Sequence, residues 1–353
     1  MENLTTESSH NATTGVSLYT EQYVQIGQKE TALEVSLFAL LFIVLILWIY
    51  IGNGLTIYLT VTNERFKNPG NYVKCAYAVV DNLANTFSNA FGLSVLLSRY
   101  TVSHPVCRAF SALGIGFGYS TIYFPSFVAV ERYFFFCRPF QHARFFTLKS
   151  IIGISSVLIL IPIVWSIVAD LQTPRLLSPT IMLCQLPNPG TQLVQQVCLF
   201  LAPSVTVTIL GIVMIRRLQI RAQAPVEPLA NSQHGGPQVN NQMRSIKKGI
   251  RLIFLIYGAF WGTIIPTWIT RAQVAATGIT LEQLDNRVDF TKFLLIRMTV
   301  LLGNYFSSAL NPIIYFALHR DLRVAAGRLF GLRSQQFSWE KEMAVAVNQS
   351  NRA

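Results

Sequence analysis

Two places in this chain put charge where charge is expensive. The first is Glu131-Arg132-Tyr133, at the end of a run beginning after Arg108 that contains no Asp, Glu, Lys or Arg. That run is long enough to cross a bilayer core of roughly 30 Å as a helix. An acid and a base at its edge cost several kcal/mol unless they are paired or used. Adjacent opposite charges can neutralise each other, so the pair reads as a switch, closed when Glu131 holds Arg132 and open when Arg132 is released. The second place is Asp81, the one acid in another apolar block, about Cys75–Ser98. A carboxylate inside a membrane is by default a functional group; a structural hydrogen-bond hub is the competing reading. Hydrolytic chemistry is not on offer. The chain has no HExxH, no GxSxG and no paired-carboxylate cluster in its apolar blocks, which argues against a membrane enzyme. No CxxC or Cys/His spacing suits a metal, and five Cys are too few for a disulfide scaffold.

The elements that must hold these groups follow from composition. Hydrophobic residues make up 52% of the 353 and charged residues 12%, well below the roughly 25% of soluble proteins. The apolar residues fall into seven blocks: about Val35–Asn63, Cys75–Ser98, the run between Arg108 and Glu131, Ser150–Ala169, within Gln192–Ile215, Leu252–Thr270 and Met298–Leu318. Each suits a helix of about 20 residues, and helices satisfy their own backbone in lipid. The expected fold is therefore an all-α membrane protein, a seven-transmembrane helix bundle over 33–318. Residues 1–32 form a polar outer tail carrying two glycosylation sequons, at Asn3 and Asn11. Residues 319–331 form a short amphipathic helix on the inner surface, with Leu322, Ala325, Ala326, Leu329 and Phe330 near one face. Residues 332–353 form a cytoplasmic tail. An extracellular N-terminus puts twenty of the 28 Lys and Arg on the inner side, as the positive-inside rule requires. The net charge of +12 thus faces anionic membrane lipid rather than nucleic acid. A multi-pass protein of the plasma membrane is expected.

Several motifs, in order along all seven blocks, resemble the rhodopsin-like (class A) G-protein-coupled receptors. Gly52-Asn53-Gly54 looks like the family's GN motif, and Tyr77-Ala78-Val79-Val80-Asp81 like its LAxxD motif. Asn53 and Asp81 are 28 residues apart, the family's usual gap. Glu131-Arg132-Tyr133 looks like (D/E)RY, Phe200 with Pro203 like FxxP, and Asn311-Pro312-Ile313-Ile314-Tyr315 is a full NPxxY. The resemblance implies a heterotrimeric G protein as partner, with arrestin as a second, and an extracellular small molecule as ligand. It implies a Cys107–Cys184 disulfide over the mouth of the bundle. It implies a polar core of Asn53, Asp81, Thr121, Ser307 and Asn311 that takes sodium or a proton and needs no other cofactor. It makes Glu131, Arg132, Tyr133, Phe140, Asn311, Pro312 and Tyr315 the coupling residues, with Phe140 as an exposed apolar knob.

Departures from the family pattern bear on mechanism and ligand. The usual Trp of the sixth block is Ile264. The inner end of that block is basic, with Arg244, Lys247 and Lys248, so no acid there can hold Arg132 across the bundle; Glu131 alone is expected to restrain it. Amine receptors carry an Asp 18 residues before the Arg, and here that position is Gly114. An opsin-type Lys is replaced by Tyr305. The expected pocket combines Gly114 and Gly118 with Gln195, Leu199, Ile264 and Thr267. Trp268, Leu301 and Tyr305 complete it, and Arg271 and Arg297 stand near its mouth. Gly114, Gly116 and Gly118 equally suit close helix approach. The stretch FVAVERYFFFCRPFQHARFFT also resembles odorant receptors, which implies a chemosensory ligand and a role in olfaction. The alternatives are a receptor of the same fold with another ligand or with constitutive activity, or, in a different class, an ion channel or transporter; the internal repeats of transporters are absent.

Overall fold

The computed structural model describes residues 32–97, 104–171, 198, 201–223, 255, 258, 259, 261, 262, 265, 269, 306, 308–317 and 320–330. Among them every regular element is a helix. The first apolar block is α1 (Ala32–Thr62). The second is α2 (Pro69–Ala84), a wide π turn at Asn85–Ala90 and α3 (Phe91–Leu97). The third is α4 (His104–Cys137), followed by the short α5 (Pro139–Phe145). The fourth is α6 (Leu148–Leu171) and the fifth α7 (Ala202–Gln223). The seventh contains α8 (Ser308–Ala317), and the amphipathic segment is α9 (Arg320–Leu329). Among the described residues three helices are long and apolar enough to cross a membrane, within α1, α4 and α6.

Local chemistry sets the boundaries. After α1 the chain turns through Glu64–Phe66, where the Asn63 side chain accepts from the Arg65 amide. Asn68 then caps α2, accepting from the Asn71 amide, and Pro69 occupies the first turn, where its missing N–H costs nothing. These signals start α2 earlier than the apolar block suggests, so Lys74 lies inside the helix. Outside the spans, the hydrogen-bonded Glu64 carboxylate raises the Lys67 ammonium above its ordinary range.

The bundle is ordered inside out relative to a soluble protein. On α1, Leu40, Val44, Leu47 and Ile51 are exposed, while Asn53, Thr56 and Thr60 are buried. α6 likewise exposes Ile152, Val157, Leu160 and Val164. Apolar side chains outward and polar ones inward is the arrangement lipid selects. α4 sits centrally, packing on α2, α6 and α7. Val73, Tyr77 and Val80 of α2 meet Phe124, Phe127 and Val128 of α4, with Phe146 and Ile151 closing the cluster. Two glycines let α4 approach its neighbours. A Cβ on Gly114 would lie 2.8 Å from the Phe87 carbonyl oxygen, and one on Gly116 would lie 2.8 Å from the Ile163 Cα.

A second cluster ties the inner ends together. Leu322 and Ala326 of α9 pack on Leu59, Phe66, Ile314 and Tyr315. Arg323 donates to the Phe316 and Ala317 carbonyls, capping the end of α8 with positive charge. Leu329 and Phe330 remain exposed. α9 is thus anchored to the bundle by half its apolar face and leaves the other half outward.

Candidate functional site at the inner face

Glu131 and Arg132 lie two turns from the end of α4, and both are withdrawn from solvent, at 1% and 13% side-chain exposure. Arg132 Nε is 3.0 Å from Glu131 Oε2. Neighbours on a helix project about 100° apart, so the charges meet without the alignment of a hydrogen bond; neither atom has a hydrogen-bond partner. The pair is held by Coulomb attraction rather than by a directional bond. The other carboxylate oxygen, Oε1, is 2.9 Å from His142 Nε2 on α5. The His142 ring stacks on Phe146, centroids 5.1 Å apart, and meets Phe135 edge-on. Glu131 therefore does not hold Arg132 alone in the sense expected from sequence: it is itself held, through its second oxygen, by the second inner turn.

The second helix supplies the seat. A Cβ on Gly70 would lie 2.7 Å from an Arg132 guanidinium nitrogen and 3.2 Å from Glu131 Oε1. The guanidinium also sits 5.7 Å from the Phe135 ring centre. One turn deeper, Lys74 is 3% exposed; its Nζ donates to Asn71 Oδ1 at 3.0 Å and lies 5.7 Å from the Tyr315 ring centre. Gly70, Lys74, Glu131, Arg132 and His142 line one cavity of about 510 Å³, together with Asp321, Leu322 and Arg328 of α9.

Further in, Asp81 is fully buried. Ser308 Oγ donates to its Oδ1 at 2.9 Å and Asn311 Nδ2 to its Oδ2 at 2.7 Å. Asn53 is also fully buried, and neither of its amide atoms has a hydrogen-bond partner. One carboxylate, a hydroxyl and amide oxygens form a hard donor set, and the Asn53 amide oxygen is buried without a partner; this chemistry suits a hard monovalent cation. Thr121 directs its hydroxyl to the Gly118 carbonyl of its own helix at 2.7 Å. Ser307 lies outside the described residues; Ser308 makes the contact to Asp81.

The other residues expected to couple are spread around this core. Phe140 is 92% exposed at the start of α5. Tyr133 packs beside Cys137 and Met214, towards α7. Pro312 is buried against α1, and Tyr315 is buried beneath α9. At the outer end, Cys107 is buried and disulfide-bonded, while Cys75, Cys137 and Cys198 form no disulfide. Beside Cys107, Arg108 makes a forked contact with Asp170 of α6, at 2.6 Å from Nη2 to Oδ2 and 3.2 Å from Nε to Oδ1. Of the expected pocket, Gly114 faces the backbone of the second span and not a cavity, and Gly118 has open space beside it. Gln195, Leu199, Ile264, Thr267, Trp268, Arg271, Arg297, Leu301 and Tyr305 lie outside the described residues, as do Asn3, Asn11, Cys184, Phe200, Arg244, Lys247 and Lys248.

Residues 52–315 match the model of the 7 transmembrane receptor (rhodopsin family). The chain belongs to that family. The fold is accordingly its seven-transmembrane bundle, with α9 as the short helix after the seventh span. The chain is also similar to the octopamine receptor beta-1R of Drosophila melanogaster, 24% identical over 316 residues. That match covers 80% of this chain and 59% of the relative, so the chain spans less than two thirds of the relative's length. As a rhodopsin-family receptor it belongs to a non-enzymatic, multi-pass membrane class.

His142 and Lys74 are the functional candidates that sequence reasoning missed. The signal for His142 was its place in the odorant-like stretch, and for Lys74 the Asn68-Pro69 start of α2.

Proposed function

We propose that this rhodopsin-family chain is a plasma-membrane receptor that binds an extracellular small molecule and activates a heterotrimeric G protein, with arrestin as a second partner on the same face. The observation that carries this reading is the buried Glu131–Arg132 pair, tied to His142 and seated on Gly70 beside an inner cavity. Arg132 is the transducer contact, released when the helices rearrange. Exposed Phe140 is the knob that docks, and Tyr315 is the lever that moves with Asn311 and Pro312.

The ligand is an odorant-type small molecule without an ammonium group to pair. The relative's name specifies octopamine, an amine. The family's amine-binding acid is here Gly114, and the Phe87 carbonyl stands 2.8 Å from where its Cβ would be. Cys107, which is disulfide-bonded, pairs with Cys184 as the family resemblance implies, and Asn3 and Asn11 carry glycans on an outer tail. Asp81, Ser308 and Asn311 would hold a sodium ion, which would supply counter-charge for the Asp81 carboxylate in the resting receptor. The amide of Asn53 completes the polar surround.

The test is nucleotide exchange on a panel of G proteins in membranes holding this chain, with odorants, amino acids, small acids and octopamine as ligands. A response from a non-amine, lost in Arg132→Ala at equal surface expression, is expected. Response to octopamine alone overturns the ligand reading. An undiminished response in Arg132→Ala, or ion flux without exchange, overturns the receptor mechanism.

A further inference from the structure

Lys74 is the buried cation that the switch described so far does not use. It lies one turn beyond Gly70 on α2 and is 3% exposed. A four-carbon stem with an ammonium can reach solvent from most inner-face positions. Here it does not: its Nζ donates to Asn71 Oδ1, one turn back, and lies against the face of Tyr315, 5.7 Å from the ring centre. Tyr315 is itself 2% exposed and packed under Leu322 and Ala326. The same cavity is lined by Lys74 and Arg132. A cation over an aromatic face is attracted by the ring's quadrupole, and the attraction grows when both partners are withdrawn from water.

We propose that Lys74 is a positioning residue of the resting receptor: its ammonium, steered by Asn71, clamps the Tyr315 ring at the inner end of the seventh helix, so that α8 cannot shift until Lys74 lets go. The Glu131–His142–Gly70 seat restrains Arg132, and Lys74 independently restrains the lever beside it. Both restraints start from the first two turns of α2. A rearrangement that draws α2 away from the centre therefore releases guanidinium and tyrosine together, which makes the two events concerted rather than sequential. This inference rests on the receptor reading for its signalling consequence but not for the clamp itself.

The experiment compares Lys74→Met with Lys74→Arg, each alone and with Tyr315→Leu or Tyr315→Phe. Ligand-free nucleotide exchange is normalised to surface expression, and backbone hydrogen exchange over 308–317 is followed in detergent-purified protein. Lys74→Met removes the charge and keeps the stem; a rise in ligand-free signalling of about two- to fivefold and faster exchange over 308–317 are expected. Lys74→Arg keeps a cation and restores both readouts to the parental level, which a merely space-filling role does not require. The effect of Lys74→Met persists in Tyr315→Phe, which keeps the ring, and vanishes in Tyr315→Leu. Equal behaviour of Met and Arg, loss of the effect in Tyr315→Phe, or its persistence in Tyr315→Leu overturns the clamp. If the parental chain activates no G protein, the receptor reading fails, and the hydrogen-exchange comparison of Met with Arg still decides the clamp. That comparison also stands if Tyr315→Leu does not fold.

Discussion

Gly70→Ala adds one methyl at the point where α2 meets the resting guanidinium. The new Cβ would stand 2.7 Å from an Arg132 nitrogen, against about 3.4 Å for ordinary contact, so something must move by roughly 0.7 Å. Glu131 Oε1, at 3.2 Å, is pinned by His142 and gives less readily than the free end of the arginine. The guanidinium therefore shifts. If the 3.0 Å ion pair lengthens by that amount, its attraction falls from about 5.5 to about 4.5 kcal/mol at an effective dielectric constant of about 20. A loss of about 1 kcal/mol from the resting state alone raises the active-to-resting ratio about fivefold. α2 itself should not suffer, since Ala is a better helix former than Gly by about 1 kcal/mol. Ligand-free G-protein activation at matched surface expression is the assay. A well-expressed Gly70→Ala variant with unchanged or lower ligand-free signalling would show that the guanidinium is not held where its seat places it. A second check is built in: with Glu131→Gln already present, Gly70→Ala should add little, because the attraction it weakens is gone.

Three further outcomes follow from the same geometry. Glu131→Gln should raise ligand-free signalling by more than Gly70→Ala, because it removes the counter-charge outright. His142→Phe keeps the ring stack on Phe146 but loses the contact to Oε1, and should raise ligand-free signalling by about fivefold, for a hydrogen bond worth about 1 kcal/mol; a fall instead would mean that His142 competes with Arg132 for Glu131. Asp81→Asn can still accept from Asn311 and pair with Ser308, so its surface expression should stay near parental, whereas Asp81→Ala leaves two buried polar groups without a partner, at about 1–3 kcal/mol each, and should express poorly. Comparable expression of the two would refute the hub. Asp170→Asn at the outer end should lower the thermal midpoint of the purified protein without changing ligand-free signalling, because the Arg108 clamp joins α4 to α6 far from the inner seat.

How much of this was legible in the sequence depends on the kind of information involved. Uncharged length fixes spans, so the blocks of α1, α4 and α6 fall within a few residues of the helices found. The Glu131–Arg132 pairing was legible because charge in an apolar run is rare enough to demand a partner, and the Asp81–Asn311 pairing was implied by the family resemblance. What composition cannot carry is which side chains a tertiary contact brings together across loops. His142 is polar and lies between two apolar blocks of the sequence, and the turn of α5 buries it against Glu131, 11 residues earlier. Lys74 precedes the apolar block, which begins at about Cys75, whereas the Asn68 cap and Pro69 begin the helix sooner. Ser308 makes a contact to Asp81 that spacing did not single out, because neighbouring residues face about 100° apart on a helix and spacing alone does not choose between them.

The basic inner end of the sixth block gives the distributed restraint its physical reason. In the sequence Arg244, Lys247 and Lys248 are cations with no acid among them, so that stretch offers the Arg132 guanidinium no counter-charge. The restraint on the resting state then has to come from other elements. The second helix and α5 supply it, with the close backbone at Gly70, the histidine that fixes the carboxylate, and the lysine on Tyr315. Neutralising the sixth-helix cations should therefore raise ligand-free signalling only in combination with a change at Gly70, Glu131 or His142, because while the seat is intact the guanidinium is already held.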